Sequence, residues 1–257
     1  MTMSVSQLNY SFFSKSIAWR IRRVWQYCWV RYHSWRTPLI SVSGIKIPIS
    51  LPISDNVREA LIKGGYEAAE LRTIESNLSP DDRVLEIGTG LGLISSYCAS
   101  QIGGDRVYTF EANPQLEPLI RDVYARNNVT ANLEIGMLGN GNGTSDFFVH
   151  EDFWSSSKQS RAGVSNVITV PVFDAQEVIS RIMPTFLIMD IEGGEAELLK
   201  ILDLSMITKI AIELHTHLLG QAKVNELRDF LLNNGFKIDQ NYSTVIDGHS
   251  QELFLTR

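Results

Sequence analysis

Cysteine is scarce in this sequence, and long apolar runs are missing. The 257 residues contain two cysteines, Cys28 and Cys98, which are too few for a disulfide framework and too far apart for a zinc site. We therefore expect a protein of the reducing cytoplasm. No stretch reaches the roughly 18 apolar residues of a membrane-spanning helix. Arginines interrupt the apolar segment near the N-terminus, and no small-residue cleavage site follows it, so we expect no signal peptide.

Acidic residues are missing from the first 54 positions. Lysine and arginine give this segment a charge of +7, and subtracting it from the net charge of −6 leaves −13 for the rest of the chain. Phosphate binding needs clustered lysine and arginine, so an acidic main domain excludes a large nucleic-acid surface. We expect no nucleic acid among the partners of this protein.

Tryptophan is concentrated where the acids are missing. Residues 16–36 contain four of the five tryptophans, and apolar residues such as Val24, Cys28 and Trp29 recur there at helical spacing with arginines between them. We predict a basic, aromatic helical extension over residues 1–38. Such a helix suits peripheral contact with the inner face of a membrane, where indoles and cations meet lipid headgroups. The alternative is that this helix packs on the domain or on a second subunit.

Strands and helices alternate in the rest of the chain. The segment "LISVSGIKIPI" predicts a hairpin and two helices follow it, so that residues 39–78 precede a core at 79–257. The strand "RVLEI" begins a series of strand–helix units, which predicts a parallel sheet with helices on both faces. The final two strands have no helix between them and must pair antiparallel. We predict an α/β fold of the class I methyltransferase type: a Rossmann-like, doubly wound, mostly parallel seven-stranded sheet with an antiparallel last strand.

Three glycines follow the first strand of that series, in "RVLEIGTGLGLIS". Gly88, Gly90 and Gly92 let the backbone approach a ligand closely, at the sheet edge where open α/β sheets bind their ligands. The next strand ends at Glu111, whose carboxylate can accept hydrogen bonds from both hydroxyls of a ribose. The glycines, the acid and the strand–helix–strand context together predict a ligand that contains a nucleoside.

The spacing of the glycines distinguishes between nucleoside cofactors. A dinucleotide site carries G-x-G-x-x-G to seat a pyrophosphate, whereas the spacing here is G-x-G-x-G. S-adenosylmethionine has no phosphate, and its ammonium group suits a carboxylate such as Glu86. We predict S-adenosylmethionine as the cofactor, with a nicotinamide dinucleotide as the alternative.

Three longer motifs occur in one order: "GGYEAAELRTIESNLSPDDRVLEIGTGLG", "VYTFEANP" and "FLIMDIEGGEAELL". On these motifs the chain from about residue 40 to its end resembles the FkbM family of S-adenosylmethionine-dependent methyltransferases. The resemblance implies methyl transfer, commonly to a hydroxyl of a sugar or of a polyketide-like small molecule. It also implies cofactor-binding roles for the glycine motif, the ribose motif and a helix that closes over the cofactor. The residues that match these motifs are Glu86, Gly88, Gly90, Gly92, Glu111, Asn113, Tyr66 and Glu67.

Candidate catalytic residues follow the fourth and fifth strands of the predicted core. A hydroxyl acceptor becomes more nucleophilic when a base takes its proton, and the polar side chains available there are Asp190, Glu192, Glu213, His215 and His217. We predict Asp190, Glu192 and His215 as catalytic or acceptor-binding residues. The alternatives are that Asp190 binds the cofactor amine or caps a helix, that Glu192 only favours a helix start, and that His215 is a hydrogen-bonded loop residue. Ile188 stands where family members often carry a lysine, so a lysine role is absent.

We predict no metal site in this protein. The alternative is a divalent cation on Asp190, His215 and His217, which would lower the pKa of an acceptor hydroxyl. Met137 is predicted to form part of a wall against adenine. The leading functional hypothesis is a small-molecule O-methyltransferase, and the alternatives are an NAD-dependent oxidoreductase and a non-catalytic cofactor-binding scaffold.

Overall fold

A computed structural model describes the protein over four stretches of chain, residues 24–50, 52–150, 164–246 and 248–257. Residues 16–23 of the predicted N-terminal helix lie outside these stretches. Contacts divide the chain into two compact units: an N-terminal unit of Met1–Ile40 and Pro48–Tyr66, and a core unit of Ser41–Ile47 and Glu67–Arg257. The predicted boundary after residue 38 differs from this division, which assigns the helix Asp55–Lys63 to the N-terminal unit.

Two helices form the described part of the N-terminal unit, α1 at 24–36 and α2 at Asp55–Lys63. The hydroxyl of Ser54 accepts a hydrogen bond from the backbone N–H of Val57, which satisfies one of the free donors at the start of α2. Gly64 ends α2 in the left-handed conformation. A hydroxyl before the helix and a glycine after it thus set its two ends.

The aromatic face of α1 is exposed. Trp25, Tyr32 and Trp35 expose 72%, 51% and 81% of their surface, whereas Val30, on the opposite side of the helix, is fully buried. Helical spacing groups the aromatic residues on one face, but that face is not the one that packs. None of the described helices combines the length and the apolar character that crossing a membrane requires.

A two-stranded hairpin follows α1, formed by β1 (Leu39–Val42) and β2 (Ile45–Pro48). Ser43 and Gly44 both have a positive φ, 48° and 85°, which is the turn geometry that matches the twist of the two strands. Within the core unit, the Lys46 N–H donates to the Asn127 side chain at 2.8 Å, and the Asn127 amide donates back to the Lys46 carbonyl at 2.9 Å. The predicted hairpin is confirmed, and this pair of bonds attaches its second strand to the end of a core helix.

The described core unit contains seven further helices and eleven further strands. The helices are α3 (Ala68–Asn77), α4 (Leu93–Ile102), α5 (Glu117–Asn127), α6 (Ala175–Ile182), α7 (Glu195–Ile201), α8 (Thr216–Leu219) and α9 (Gln221–Asn233), with a 3-10 turn at Gly104–Arg106. The strands are β3 (Val84–Ile87), β4 (Val107–Glu111), β5 (Asn132–Ile135), β6 (Met137–Gly139), β7 (Gly143–His150), β8 (Val164–Asp174), β9 (Phe186–Met189), β10 (Lys209–Leu214), β11 (Lys237–Ile238), β12 (Thr244–Ile246) and β13 (Ser250–Thr256).

The main sheet has the strand order β11-β13-β10-β9-β3-β4-β5, and β12 pairs with β13 outside this path. From β10 to β5 all neighbouring strands are parallel, and β13 runs antiparallel to both β10 and β11. The path therefore has the seven strands, the mostly parallel pairing and the antiparallel last strand that the sequence predicts. The short strand β12 is an addition that the sequence pattern did not indicate.

Strands β6, β7 and β8 form a separate three-stranded sheet, in which β8 is central. The predicted single sheet does not include this feature. The chain leaves the main sheet at Gly136, whose φ is +153° and whose N–H donates to the Glu111 carbonyl at 2.8 Å. A side chain there would meet Phe173 and the Pro171 carbonyl at 2.7 Å, so only glycine lets the chain turn this closely.

The two strands at the centre of the main sheet are buried on both faces. All four residues of β3 and all four residues of β9 are buried, as is typical of parallel strands that helices cover on both sides. Glu86 is the one charged residue in these two strands, and Asp190 follows β9 directly. The fold therefore places carboxylates near the centre of the sheet, at the edge formed by the C-terminal ends of its parallel strands.

Gly88→Ala should destabilise the core unit more than the control variant Gly141→Ala. Both glycines have a φ of +96°, so alanine is equally strained in the backbone at either position. A Cβ at Gly88, however, would lie 1.9 Å from the Asp190 carbonyl oxygen, whereas nothing lies within 4 Å at Gly141. We expect urea denaturation to show an additional loss of about 2 kcal/mol or more for Gly88→Ala. Equal losses in the two variants would contradict this close approach.

Candidate functional site

The carboxyl ends of β3, β4, β9 and β10 meet at one edge of the main sheet. The winding reverses between β3 and β9, and open α/β sheets bind ligands at such a switch point. Beyond the strands, the Gly88 N–H donates to the Phe110 carbonyl at 2.9 Å, and the Asp190 N–H donates to the Ile87 carbonyl at 3.0 Å. These bonds hold the turns after β3 and β9 side by side.

Glu111 connects the glycine turn to the turn after β4. Its two oxygens accept hydrogen bonds from the backbone N–H groups of Gly90 at 3.1 Å and of Asn113 at 2.7 Å. Burial raises the pKa of Glu111 to about 7, although these N–H groups oppose the shift. Each carboxylate oxygen can accept a further hydrogen bond, and the ribose-binding role of Glu111 stays a prediction.

Glu86 lies beneath the glycine turn and only 2% of it is exposed. Its carboxylate accepts a hydrogen bond from the Thr109 hydroxyl, which is also hydrogen-bonded to the Thr89 hydroxyl. Burial raises the pKa of Glu86 to about 8, against the lowering effect of hydrogen bonds from Thr109 and Ser95. In the unligated protein Glu86 therefore supports the turn from within, and the predicted contact with a cofactor ammonium stays a prediction.

The other predicted cofactor residues have distinct positions. Asn113 is buried and its side-chain oxygen accepts a hydrogen bond from the Gln115 N–H at 3.1 Å, which stabilises the turn after β4. Met137 packs against the small apolar cluster of the three-stranded sheet. Ala112, the residue after Glu111, packs against the same cluster. Gly92 begins α4 in the left-handed conformation. Tyr66 is buried in the N-terminal unit. Glu67 is the first residue of the second segment of the core unit, and its φ is 49°.

His215 stands at the centre of a group of carboxylates after β9 and β10. Its Nδ1 donates to Oε1 of Glu195 at 2.6 Å, and the Glu195 side chain is 0% exposed. Its Nε2 lies 3.5 Å from Glu192, 3.8 Å from Asp190 and 3.8 Å from Glu213. Burial lowers the pKa of His215, but the hydrogen bond to Glu195 and the charges of Asp190 and Glu192 outweigh it and raise the pKa to about 9. The unligated protein thus favours the imidazolium, which cannot serve as a base.

The carboxylates around His215 also shift one another's pKa values. Burial and, next, the charge of Glu213 raise the pKa of Asp190 to about 7. On α3, burial and the charge of Asp190 raise the pKa of Glu70 well above its usual range. In the described part of the chain, His215 is the one basic side chain paired with Asp190, Glu195 or Glu213. Among the described residues, acidic side chains therefore outnumber basic ones in this cluster.

The structure brings the predicted catalytic residues Asp190, Glu192 and His215 together. The His217 ring lies 5.8 Å from the His215 ring, but its ligand atoms are not among those grouped with Asp190 and Glu213. His217 is exposed, and its ring stacks on His249 with centroids 4.1 Å apart. Its Nδ1 donates to the His249 carbonyl at 2.9 Å. Glu195 follows Asp190 and Glu192 in the same segment, and the sequence alone leaves open whether it belongs to the site or only favours a helix start. A carboxylate near a helix start is common on the surface, and nothing in the pattern shows that this one is fully buried.

The sequence profile of the methyltransferase FkbM domain matches residues 86–238, which is more than half of the chain. The protein belongs to the FkbM methyltransferase family. This match confirms the predicted family and the predicted enzyme class, and the strand order of the main sheet is that of the predicted class I fold. A search among curated proteins finds no significant match to the sequence of this methyltransferase.

Solved structures similar to this methyltransferase include three methyltransferases of low sequence identity. A precorrin-6y C5,15-methyltransferase from Geobacter metallireducens is 13% identical, with 75% of this chain and 88% of that chain covered and a TM-score of 0.46. A methyltransferase from Pyrococcus furiosus is 12% identical, with 91% and 98% covered and a TM-score of 0.45. A tRNA (uracil-54, C5)-methyltransferase from Pyrococcus abyssi, in complex with S-adenosyl-L-homocysteine, is 15% identical, with 86% and 44% covered and a TM-score of 0.47.

The charges of the site fit the S-adenosylmethionine of a methyltransferase better than a dinucleotide. The carboxyl group of Glu111 lies against the glycine turn, where its oxygens accept hydrogen bonds from Gly90 and Asn113, and an anionic pyrophosphate bound there would face it. The Gly90 N–H, which a phosphate would need, already donates to Glu111. A cofactor with a sulfonium and an ammonium group matches this lining, so the nicotinamide alternative is disfavoured.

The free energy of unfolding of the methyltransferase should fall as the pH rises from the ordinary glutamate pKa of 4.5 to about 8. In Glu86→Gln the free energy of unfolding should depend less steeply on pH. Over this interval the folded state keeps a proton on Glu86 that the unfolded state releases, so the free energy of unfolding decreases with pH. At pH 8 we expect the free energy of unfolding of Glu86→Gln, measured by urea denaturation, to exceed that of the wild type by a few kcal/mol. The exposed Glu75 on α3 provides the control, since Glu75→Gln should leave the slope unchanged. A Glu86→Gln curve parallel to that of the wild type would show that Glu86 does not retain its proton.

Proposed function

We propose that the protein transfers a methyl group from S-adenosylmethionine to a hydroxyl group of a small molecule or sugar. The observation that supports this acceptor class is the carboxylate lining of the sheet edge, where the side chains of Asp190 and Glu213 are 36% and 26% exposed. Ionised carboxylates accept hydrogen bonds from hydroxyl groups and repel anionic acceptors. A neutral acceptor rich in hydroxyl groups is complementary to this lining.

The glycine turn and Glu111 bind and orient the methyl donor. When bound, S-adenosylmethionine supplies an electrophilic methyl group on a sulfonium centre, so the protein has chiefly to position two reactants. Each oxygen of Glu111 accepts one backbone N–H and keeps the capacity for one ribose hydroxyl. Ala112 and Met137, which both pack against the same small apolar cluster and are only partly buried, offer an apolar surface for adenine.

Asp190 and Glu192 orient the acceptor. The Asp190 backbone touches Gly88, so its carboxylate lies at the same edge as the donor-binding turn. A hydroxyl that donates to Asp190 or Glu192 is held with a lone pair available for attack. As the oxygen–carbon bond forms and the carbon–sulfur bond breaks, the hydroxyl proton passes to that carboxylate and the sulfonium leaves as a neutral thioether. His215 is a positioning residue, because its Nε2 faces both carboxylates at 3.8 and 3.5 Å.

Asp190→Asn should lower kcat/KM for methyl transfer by about 100-fold or more, because the amide cannot receive the hydroxyl proton. The Kd for S-adenosylmethionine should change by less than about threefold, since Asp190 acts on the acceptor. The measurement uses a donor with a labelled methyl group, a panel of hydroxylated sugars and small molecules, and NMR of the product. Asp229→Asn, at an exposed position of α9, is the matched control and should leave both quantities unchanged.

The position of the labelled methyl group decides between the functional alternatives. An O-methyl product supports the proposal, whereas a methyl group on nitrogen or carbon would contradict the acceptor class. Cofactor binding without transfer to any hydroxyl acceptor would favour the non-catalytic scaffold. Binding of a nicotinamide dinucleotide in place of S-adenosylmethionine would favour the oxidoreductase.

We also propose that α1 places the protein on a membrane surface with anionic headgroups. Its exposed face carries Trp25, Tyr32 and Trp35, and arginines flank this face on both sides. Arg31 donates to the Tyr27 hydroxyl at 2.6 Å and Arg36 to the Tyr32 hydroxyl at 2.9 Å, which places cations beside the aromatic rings. This arrangement suits the headgroup region, and the acid-free first 54 residues are complementary to anionic lipid.

Replacing Trp25 and Trp35 together by alanine should reduce flotation with anionic liposomes by about tenfold or more, because two exposed indoles no longer enter the interface. Leu232→Ala removes an exposed apolar side chain from α9 in the core unit and should leave flotation unchanged. Absence of wild-type flotation would contradict the membrane proposal. A concentration-dependent dimer that the double variant loses would instead assign this face to a second copy of the chain.

A further inference from the structure

The side chains of Asp190, Glu213 and His215 present one ligand atom each, and these three atoms lie within 4.8 Å of one another. We propose that they form a binding site for one divalent cation, of the Mn²⁺ or Mg²⁺ type, which binds the acceptor hydroxyl. The cation site rests on these residues alone, and its role toward the acceptor rests on the proposed function. It differs from the alternative that the sequence offered, since Glu213 takes the place of the exposed His217.

Strand register brings the three ligands together. In the parallel pair of β9 and β10, Met189 lies opposite Ile212, so the next residues along, Asp190 and Glu213, are neighbours at the edge. His215 follows Glu213 by two positions, which places both on the same side of the chain where β10 ends. The sequence pattern thus aims two carboxylates and one imidazole at one point of the edge.

The distances suit a small dication. Ligand atoms held about 2.1 Å from an octahedral ion lie about 3.0 Å apart when adjacent and about 4.2 Å apart when opposite. Nε2 of His215 lies 3.8 Å from Oδ1 of Asp190 and 3.8 Å from Oε1 of Glu213, between these two limits. Small side-chain rotations that move the ligand atoms by a fraction of an ångström would bring all three atoms into a coordination sphere. Carboxylate oxygens with a single imidazole favour Mn²⁺ and Mg²⁺ over the thiophilic metals.

The imidazole is oriented as a metal ligand requires. A ligating histidine almost always donates its other ring N–H to a carboxylate or carbonyl, which fixes the tautomer and aims the free nitrogen at the metal. In this structure Nδ1 of His215 donates to Glu195 at 2.6 Å, and Nε2 faces the two ligand carboxylates. The buried Glu195 therefore plays the part of the outer carboxylate.

Glu195 supplies a second, independent observation. Its side chain is 0% exposed, and its Oε2 has no hydrogen-bond partner while Oε1 binds His215. Burying an ionised carboxylate is costly unless positive charge or hydrogen bonds compensate it. A single imidazolium brings one positive charge to this group of carboxylates, whereas a divalent cation in place of the imidazole proton brings two. A dication bound on the Nε2 side of His215 would bring positive charge closer to Glu195, although it would not supply a hydrogen bond to Oε2.

Three protein ligands leave room for the acceptor. An octahedral ion bound by three protein ligands has about three further coordination positions. Asp190 and Glu213 are partly exposed, so an acceptor can reach the cluster from solvent. A hydroxyl oxygen bound there has a lowered pKa. The hydroxyl proton passes to Glu192, whose carboxylate lies 3.5 Å from His215, or to the Asp190 oxygen that does not bind the cation.

The test is a titration of the chelator-treated full-length protein with Mn²⁺ alone, followed by the EPR signal of the free ion. We expect one Mn²⁺ per chain, and an affinity at least about tenfold lower in Asp190→Asn and in Glu213→Gln. Glu252→Gln is the matched control, because Glu252 pairs with Glu213 across β10 and β13 but is not one of the three ligands. Its affinity should stay within about threefold of the wild type, and thermal unfolding should show that all variants are folded.

Absence of stoichiometric Mn²⁺ binding would overturn the site, as would an equal loss of affinity in Glu252→Gln, which would indicate general acidity instead of ligation. The role of the cation is tested separately: a chelator should abolish methyl transfer, and Mn²⁺ or Mg²⁺ should restore it. Full activity in the chelator would overturn that role and leave the proposed function intact. Mn²⁺ binding without transfer to any hydroxyl acceptor would leave the site intact and contradict the proposed function.

Discussion

Carboxylates concentrated at a buried sheet edge are the constraint on which the rest of this structure depends. Burial raises the pKa of Glu86 to about 8 and those of Glu111 and Asp190 to about 7. The fold tolerates these groups because backbone N–H groups, the Thr109 hydroxyl and one imidazole compensate them in part. The compensation is incomplete, so the edge favours ligands that bring positive charge.

The carboxyl groups of this edge connect the two halves of the site. On the donor side, Glu111 ties the glycine turn to the turn after β4 and leaves no free phosphate cradle at Gly90. On the acceptor side, Asp190 and His215 extend the acidic lining beyond β9 and β10. Gly88 makes the junction possible, since its missing side chain lets the Asp190 backbone pass directly beside the turn. A sulfonium cofactor and a hydroxyl acceptor are therefore placed side by side by the same local geometry.

Local signals in the sequence were sufficient for much of the fold and for the donor half of the site. The segment "LISVSGIKIPI" predicts the hairpin that turns at Ser43 and Gly44, and "RVLEI" predicts β3, which begins one residue later at Val84. What the sequence could not show depends on tertiary packing. Nothing in the sequence marks Gly136 as the residue at which the chain leaves the main sheet for a second one. Glu195 reads as a solvated helix start but is fully buried on His215. Helical spacing identifies the aromatic face of α1 but not what covers it.

The central claim is that the acidic edge selects a nucleoside that carries positive charge and no phosphate. Calorimetric titration of the purified protein with S-adenosylmethionine and with a nicotinamide dinucleotide, before and after Glu111→Gln, tests it most directly. The account predicts that only S-adenosylmethionine binds, and that the substitution weakens it by about tenfold because one acceptor for the ribose hydroxyls is lost. Tighter binding of the dinucleotide, or an affinity for S-adenosylmethionine that does not depend on Glu111, would contradict it.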